Sequence, residues 1–197
     1  MAKQQPKIFS DKIFYYESVL ENPKEVIDKI EAFSYDESKE MLISDWHTWT
    51  ASHDSYVFGE RKTTNISFYE SSSKEMQDVY NTLNKVLSIY SEDYSKSLSI
   101  PLGTQRPISI SKYFSGAFMG SHTDSSPTPT TENVSGVLYL NDSYEGGEIS
   151  FPQQGVKIKP SAGSLVLFPS VPPFYHESLA VISGTKYMCP AFWHLSN

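Results

Sequence analysis

Cysteine is nearly absent. Cys189 stands alone, so no disulfide can form within the chain and nothing points to an oxidising compartment. Basic residues are in the minority, 16 Lys and Arg against 23 Asp and Glu for a net charge of −7. That sign denies the chain the broad basic surface that general nucleic-acid binding requires. Long apolar runs are also missing: nothing approaches the roughly 18 residues of a membrane helix. The opening stretch MAKQQPKIFSDK is too polar to serve as a signal peptide. No internal repeat is visible. These absences lead us to expect an intracellular, soluble (cytoplasmic) protein, with neither membrane nor nucleic acid as a partner.

Aromatics, by contrast, are plentiful, with 13 Tyr and 11 Phe, as suits a β-rich domain. A length of 197 residues, 39% hydrophobic and 20% charged, fits one domain, 1–197, with a substantial core. Lys12 to Tyr16 reads as a short opening strand. Asn22-Pro23-Lys24-Glu25 offers an N-cap, a proline at the first helical position and a glutamate closing a capping box, which predicts a helix over 23–33. Ser72-Ser73-Lys74-Glu75 opens a second helix in the same way. Met76, Val79, Tyr80, Leu83, Val86, Leu87, Tyr90 and Tyr94 continue it at a period near 3.6, the pattern of a helix packed on a sheet.

From Arg106 onward short strands alternate with Gly, Pro and Asn/Asp turns. The expected strands are Ile108–Phe114, Val134–Leu140, Glu148–Phe151, Val156–Lys159, Ser164–Phe168, Tyr175–Ala180 and Thr185–Trp193. Turns are expected at Asn141-Asp142-Ser143, Glu145-Gly146-Gly147 and Gln153-Gln154-Gly155. Such spacing predicts a mainly β fold with supporting α-helices around a double-sheet jelly roll, which can enclose a site between its sheets.

His122-Thr123-Asp124 is the chemically richest motif. Residues two apart on an extended strand share a face, so His122 and Asp124 can bind one metal ion while Thr123 points away. His176, on a later strand, completes a two-His, one-carboxylate set that leaves half the metal open, the arrangement of non-heme Fe(II) oxygenases. Lys186, ten positions on, supplies a fixed positive charge for an acidic cosubstrate. Singly, each residue has an ordinary reading: a chance HxD, a core histidine, a solvated lysine. Their order and strand placement together are much harder to obtain by chance.

Beside these residues, several blocks match a known family in order. They are Lys112-Tyr113-Phe114, Gly120 to Asp124, Val137-Leu138-Tyr139-Leu140-Asn141-Asp142, Glu145-Gly146-Gly147-Glu148 with Phe151-Pro152, Pro160 with Gly163 and Leu165 to Phe168, His176, and Gly184-Thr185-Lys186. From Ile108 to Trp193 the sequence resembles the 2-oxoglutarate and Fe(II)-dependent dioxygenases, in their prolyl 4-hydroxylase-like branch. The resemblance implies a double-stranded β-helix (cupin-like) catalytic core over 106–194, supported by a helix-containing segment over 1–105.

It also implies that His122, Asp124 and His176 are the iron ligands and the catalytic residues. Lys186 would pair with the distal carboxylate of 2-oxoglutarate, and Tyr113 and Tyr139 would place hydroxyls near that cosubstrate. Fe(II), 2-oxoglutarate and O2 would be required, with ascorbate as an auxiliary. The implied reaction is hydroxylation of a C–H bond, coupled to decarboxylation of 2-oxoglutarate to succinate and CO2. The expected substrate is a prolyl residue in a peptide or protein. A free amino acid or other small molecule, oxidative demethylation of nucleic acid, and a non-enzymatic metal-holding jelly-roll binding module are the alternatives.

Members of this branch commonly carry tryptophan six positions after the basic residue, where this chain has Phe192. Strand alternation groups Lys186, Met188, Pro190 and Phe192 on one face, favouring Phe192 over Trp193 as pocket wall unless a bulge at Pro190 intervenes. Trp46, His47, Trp49 and His53, with Tyr56 and Phe58, read as a satellite hydrophobic cluster, with a substrate loop as the alternative. Ser125 to Thr131 is either a lid or an ordinary surface loop. His194 is expected to play no metal role, and Cys189 to be a plain strand residue.

Overall fold

A computed structural model of the chain describes residues 4–34, 47–48, 63–67, 73–125 and 133–196. The first half contains β1 (Lys7–Phe9), β2 (Ile13–Tyr16), α1 (Pro23–Ser34), β3 (His47–Thr48), β4 (Thr63–Ser67) and α2 (Lys74–Leu98). Next come β5 (Leu102–Gln105), β6 (Ser109–Tyr113), β7 (Met119–His122), β8 (Val134–Tyr139), β9 (Tyr144–Gly146) and β10 (Ile149–Phe151). The chain ends with β11 (Val156–Ile158), β12 (Leu165–Pro169), β13 (His176–Ser178), β14 (Val181–Gly184) and β15 (Lys186–Leu195).

The strands form a large sheet in the order β1-β2-β12-β8-β15-β6-β4-β3, with β5 also paired to β15, and a smaller sheet in the order β11-β10-β13-β7. A two-stranded ribbon, β14-β9, lies apart. Every pairing is antiparallel. The result is a jelly roll backed by two helices.

The central strands of the large sheet are buried on both faces, so they read as nearly unbroken apolar runs. Alternation then sorts their side chains into two cores. Phe14 and Tyr16, Leu138, Leu165 and Leu167, and Cys189, Ala191 and Trp193 face the helices, joining Ile30 of α1 and Met76, Leu83 and Leu87 of α2. Ile13 and Tyr15, Val137 and Tyr139, Val166 and Phe168, and Met188 face the small sheet, against Ile149, Phe151 and Ile158. An open groove between the helices, lined in part by Leu20, Glu25, Val86 and Tyr90, belongs to the helix side.

Both helices stand where the capping residues predict, but the caps differ. Ser73 accepts a hydrogen bond from the Met76 N–H at 3.3 Å, as an N-cap should. Asn22 instead adopts a left-handed φ of 50°, and its backbone carbonyl takes the Glu25 N–H at 2.9 Å. The Glu25 carboxylate does not close a capping box; it pairs with Lys29 one turn on, at 2.7 Å. The expected opening strand is present as β2, and the helix-containing first half also supplies β1, β4 and β5 to the large sheet. The Glu145-Gly146-Gly147 turn is present, with φ of 70° and 65° at its glycines, but it begins inside the unforeseen strand β9.

Register through Pro190 is regular, from Met188↔Tyr139 to Trp193↔Val134, so no bulge reverses the face assignment. Trp193 is buried on the helix side, where Gly136 makes room for it: a Cβ there would meet Trp193 at 3.0 Å and Leu167 at 2.8 Å. Phe192 therefore falls on the face of Lys186. Among the described residues no helix is long and apolar enough to cross a membrane. Trp193→Ala is expected to cost about 3–5 kcal/mol of stability in urea unfolding, whereas half-buried Phe192→Ala should cost clearly less. Equal losses would contradict the division of the two rings between faces.

Candidate metal and cosubstrate site

The small sheet places the two histidines opposite one another. β13 pairs with β7 in a register that sets His176 directly across from His122, and their ring centroids lie 4.3 Å apart. The His122 Nδ1 lies 2.8 Å from the Gly120 carbonyl and the His176 Nδ1 lies 3.4 Å from that of Phe174. With Nδ1–H donated to those carbonyls, each imidazole turns its Nε2 toward the middle of the cluster. The two Nε2 atoms converge on one carboxylate: His122 Nε2 is 3.2 Å from Asp124 Oδ1, and His176 Nε2 is 3.4 Å from Asp124 Oδ2. One ligand atom from each of the three residues lies within 4.8 Å of the others.

One expectation needs correction. Asp124 is not on the strand, because β7 ends at His122, where its pairing with β13 ends, and Asp124 sits at the bend beyond. The bend is held instead by hydrogen bonds. The Ser135 hydroxyl donates to Asp124 Oδ2 at 2.5 Å, the Ser170 hydroxyl lies 2.7 Å from Ser135 Oγ, and the Ser125 N–H reaches the Ser170 carbonyl at 3.1 Å. Ser135 and Ser170 were not anticipated. The available signal was weak: a serine within the apolar strand Val134–Tyr139, and another just past Leu165–Pro169.

The electrostatics favour ligand-ready forms. Burial pushes the His176 imidazole down to about 4, and neighbouring His122 pushes the same way against the pull of Asp124. Burial opposes ionisation of Asp124 more than any other single influence. The His122 hydrogen bond, the charges of His176 and His122, and the Ser135 hydroxyl together outweigh it, so the carboxyl titrates below its ordinary range. A neutral imidazole and an ionised carboxylate are what a divalent metal binds. The N, N, O donor set with open positions suits Fe(II).

The cationic end lies where β15, β6 and β8 of the large sheet face β13 of the small one. Lys186 is fully enclosed, with 0% exposure, and its Nζ donates to the Gly147 carbonyl at 3.1 Å and to Ser178 Oγ at 2.5 Å. Tyr113 and Tyr139 flank it, with ring centroids 4.7 and 5.9 Å from Nζ. Register explains the grouping: Lys186 pairs with Tyr113, and Met188 with Tyr139. Burial lowers the Lys186 pKa to about 7, with Lys159 adding to the depression and Glu148 opposing it. The structure thus brings His122, Asp124 and His176 into one cluster and Lys186, Tyr113 and Tyr139 into another.

At the metal end, Phe192 pairs with Ser135 and shares its face. Cys189 is a buried strand residue. Trp46, Trp49, His53, Tyr56 and Phe58, the side chain of His47, and Ser126 to Thr131 lie outside the described residues.

The sequence model of the "2OG-Fe(II) oxygenase superfamily" matches residues 108–194. A PKHD-type hydroxylase of Shewanella baltica (strain OS185) is 34% identical over 101 residues, covering 46% of this chain and 43% of that protein. The chain thus matches less than half the length of this curated relative. Among solved structures, a viral collagen prolyl hydroxylase from Paramecium bursaria Chlorella virus-1, complexed with 2OG, superposes with a TM-score of 0.67. It is 17% identical, and the match covers 95% of this chain and 98% of that one. A prolyl hydroxylase from Trichoplax adhaerens, bound to a hypoxia inducible factor peptide fragment, gives a TM-score of 0.69 at 15% identity, covering 93% of this chain and 84% of that one. At these identities the structural likeness speaks for the fold. Fold, donor set and sequence match agree in likening residues 108–194 of this chain to the 2OG-Fe(II) oxygenase superfamily.

Proposed function

We propose that this protein is an Fe(II)- and 2-oxoglutarate-dependent dioxygenase that hydroxylates a prolyl residue in a peptide or protein. The observation that carries the proposal is the convergence of His122, Asp124 and His176 beside an enclosed ammonium, Lys186. Bound there, Fe(II) with 2-oxoglutarate and O2 supplies oxidative decarboxylation to succinate and CO2, coupled to insertion of hydroxyl into a C–H bond. His122, His176 and Asp124 hold the metal and are the catalytic residues. Lys186, with Tyr113 and Tyr139 around it, holds the distal carboxylate of the cosubstrate. Phe192 forms part of the apolar wall that keeps water from the reacting carbon.

Ser178 lies two residues beyond His176 on β13, roughly 7 Å along an extended strand. The Lys186 ammonium is bonded to that serine, so the span from metal to cation suits a five-carbon oxo diacid. The prolyl assignment draws on the relatives, whose names are those of hydroxylases and prolyl hydroxylases, one of them holding a peptide. The acidic balance of the chain speaks against nucleic acid. On this proposal residues 1–105 support the core over 106–194 within one dioxygenase domain, the protein works in the cytoplasm, and ascorbate serves as an auxiliary reductant.

Anaerobic loading with Fe(II) and 2-oxoglutarate, followed by O2, is expected to yield succinate, accelerated by proline-containing peptides more than by free proline. Absence of both cosubstrate binding and succinate in metal-loaded protein would overturn the proposal. His122→Ala is expected to lose Fe(II) binding in equilibrium dialysis while remaining folded. Lys186→Ala should retain the metal but weaken 2-oxoglutarate about tenfold to a hundredfold, the worth of a charged hydrogen bond.

A pH dependence follows as well. Because free Lys186 titrates near 7 and a bound carboxylate raises that value, binding above this pH must take up a proton. Affinity should therefore fall as pH rises above 7, by up to roughly tenfold per unit. Calorimetry in buffers of different ionisation enthalpy will show proton uptake at pH 8, and none in Lys186→Ala.

A further inference from the structure

Two buried hydroxyls stand behind the carboxylate of the metal cluster. We infer that Ser135, backed by Ser170, is a positioning residue that reserves one oxygen of Asp124, so that only the other binds the metal. The inference rests on the proposed function and deepens it.

A carboxylate turns easily about its last bond, whose torsion is broad and roughly two-fold. Asp124 also lies two residues past the end of β7, so no ladder decides which of its oxygens a metal meets. Both border the cluster: Oδ1 lies 3.2 Å from His122 Nε2, and Oδ2 lies 3.4 Å from His176 Nε2. Left alone, the two oxygens could share one ion. Oδ2, however, has a further partner. The Ser135 hydroxyl donates to it at 2.5 Å, the length of a strong charge-assisted bond. An oxygen held in this way offers less electron density to a cation than its twin, which leaves Oδ1 as the ligand.

The second hydroxyl strengthens the first. A serine has one hydroxyl hydrogen, and that of Ser135 is given to Asp124. The 2.7 Å contact between Ser135 and Ser170 must then be donated by Ser170. The relay therefore runs one way, from Ser170 to Ser135 to Asp124, and each donor polarises the next. Ser135 is 1% exposed and Ser170 0%, so water does not compete. Both stand on fixed backbone. Ser135 lies within β8, opposite Phe168 of β12 and Phe192 of β15. Ser170 donates its N–H to the Asn133 carbonyl and accepts the Ser125 N–H, each at 3.1 Å. The small sheet thus holds the histidines, while the large sheet holds Oδ2.

Coordination chemistry supplies the purpose of this reserve. An octahedral ion bound by two imidazoles and one carboxylate oxygen keeps half its positions open. A 2-oxo acid chelate takes two of them and leaves one for O2. Were Asp124 to bind through both oxygens, the chelate would fill what remained and O2 would find no place. Ser135 acts through Asp124, by keeping that place vacant.

The test is infrared difference spectroscopy on the anaerobic full chain, Fe(II)-loaded minus unloaded, which shows the carboxylate that the ion engages. The splitting between the two carboxylate stretches is wide when one oxygen binds and narrow when both do. The unchanged protein is expected to show the wide splitting and Ser135→Ala the narrow one. Ser135→Thr, which keeps the hydroxyl, should restore the wide splitting. Nitric oxide, offered in place of O2 to the protein loaded with Fe(II) and 2-oxoglutarate, is expected to bind Ser135→Ala about tenfold more weakly than the unchanged protein. Ser170→Ala should weaken it less, and not at all in a Ser135→Ala background, because its hydroxyl reaches the carboxylate only through Ser135.

A narrow splitting in the unchanged protein would overturn the inference, as would a wide one in Ser135→Ala. So would a Ser135→Thr variant indistinguishable from Ser135→Ala, which marks an effect of packing rather than of the hydroxyl. A further loss from Ser170→Ala in the Ser135→Ala background would overturn the relay. Failure of the unchanged protein to bind Fe(II) would overturn the proposed function first, and the inference with it.

Discussion

Everything in the site hangs on the parity of strands buried on both faces. In β8 and β15, alternate residues belong to different cores: Leu138, Cys189, Ala191 and Trp193 to the helices, Tyr139 and Met188 to the space between the sheets. A slip of one residue would exchange those sets, turning Lys186 toward α1 and α2 and Trp193 into the site. Antiparallel register prevents this. The unbroken pairing from Met188↔Tyr139 to Trp193↔Val134 is flanked on the far side of β8 by the equally regular pairing with β12. The glycine at 136, which leaves room for Trp193, favours the same register, since a larger residue there would collide with that ring. Core packing and site assembly are one constraint seen from two sides.

The two ends of the site are held by different means. At the cationic end each group belongs to a strand: Lys186 and Tyr113 pair across β15 and β6, and Tyr139 lies on β8. At the metal end both histidines lie on strands, while the carboxylate lies past the end of one. Its position depends on Ser135, Ser170 and the Ser125 N–H. Ordering by side chains is weaker than ordering by a ladder, but here it fixes the carboxylate beyond the point where the β7–β13 ladder ends. It also loads the carboxylate with hydrogen bonds that favour its ionised form, as its lowered pKa reflects.

The relation between sequence and structure follows from these distinctions. The helices and most strands of the second half were legible because their signals are local: apolar stripes, alternation, and turns at glycine and asparagine. The convergence of His122, Asp124 and His176 was legible because ligand chemistry restricts residue type and because both histidines lie in strands. What escaped depends on non-local partners. β5 and β14 are short and gain their pairing from distant strands. Asn22 and Glu25 carry the letters of a capping box, but Asn22 took a left-handed conformation and Glu25 found Lys29. Asp124 was placed on a strand because the motif is written that way, whereas the ladder stops two residues earlier. Ser135, Ser170 and Ser178 are common residues whose meaning appears only with the atoms they touch.

A buried cation without a carboxylate partner is costly, and this fold retains one. Lys186 is fully enclosed, its hydrogen bonds go to a neutral carbonyl and a neutral hydroxyl, and a second lysine lies close enough to depress it further. Two aromatic faces recover part of the lost solvation, yet a leucine or methionine on β15 would pack at lower cost. On the proposed function, retention of a lysine at such a position is explained by a ligand that supplies the missing anion. The His-Asp-His cluster on the facing sheet limits what that ligand can be, because it must reach a metal with one end and an ammonium with the other. An oxo diacid meets both demands. A monofunctional metal ligand would leave Lys186 unpaired, and a simple anion would leave the open metal positions unfilled. On that proposal it is the lysine that separates an oxygenase from a jelly roll that merely holds metal.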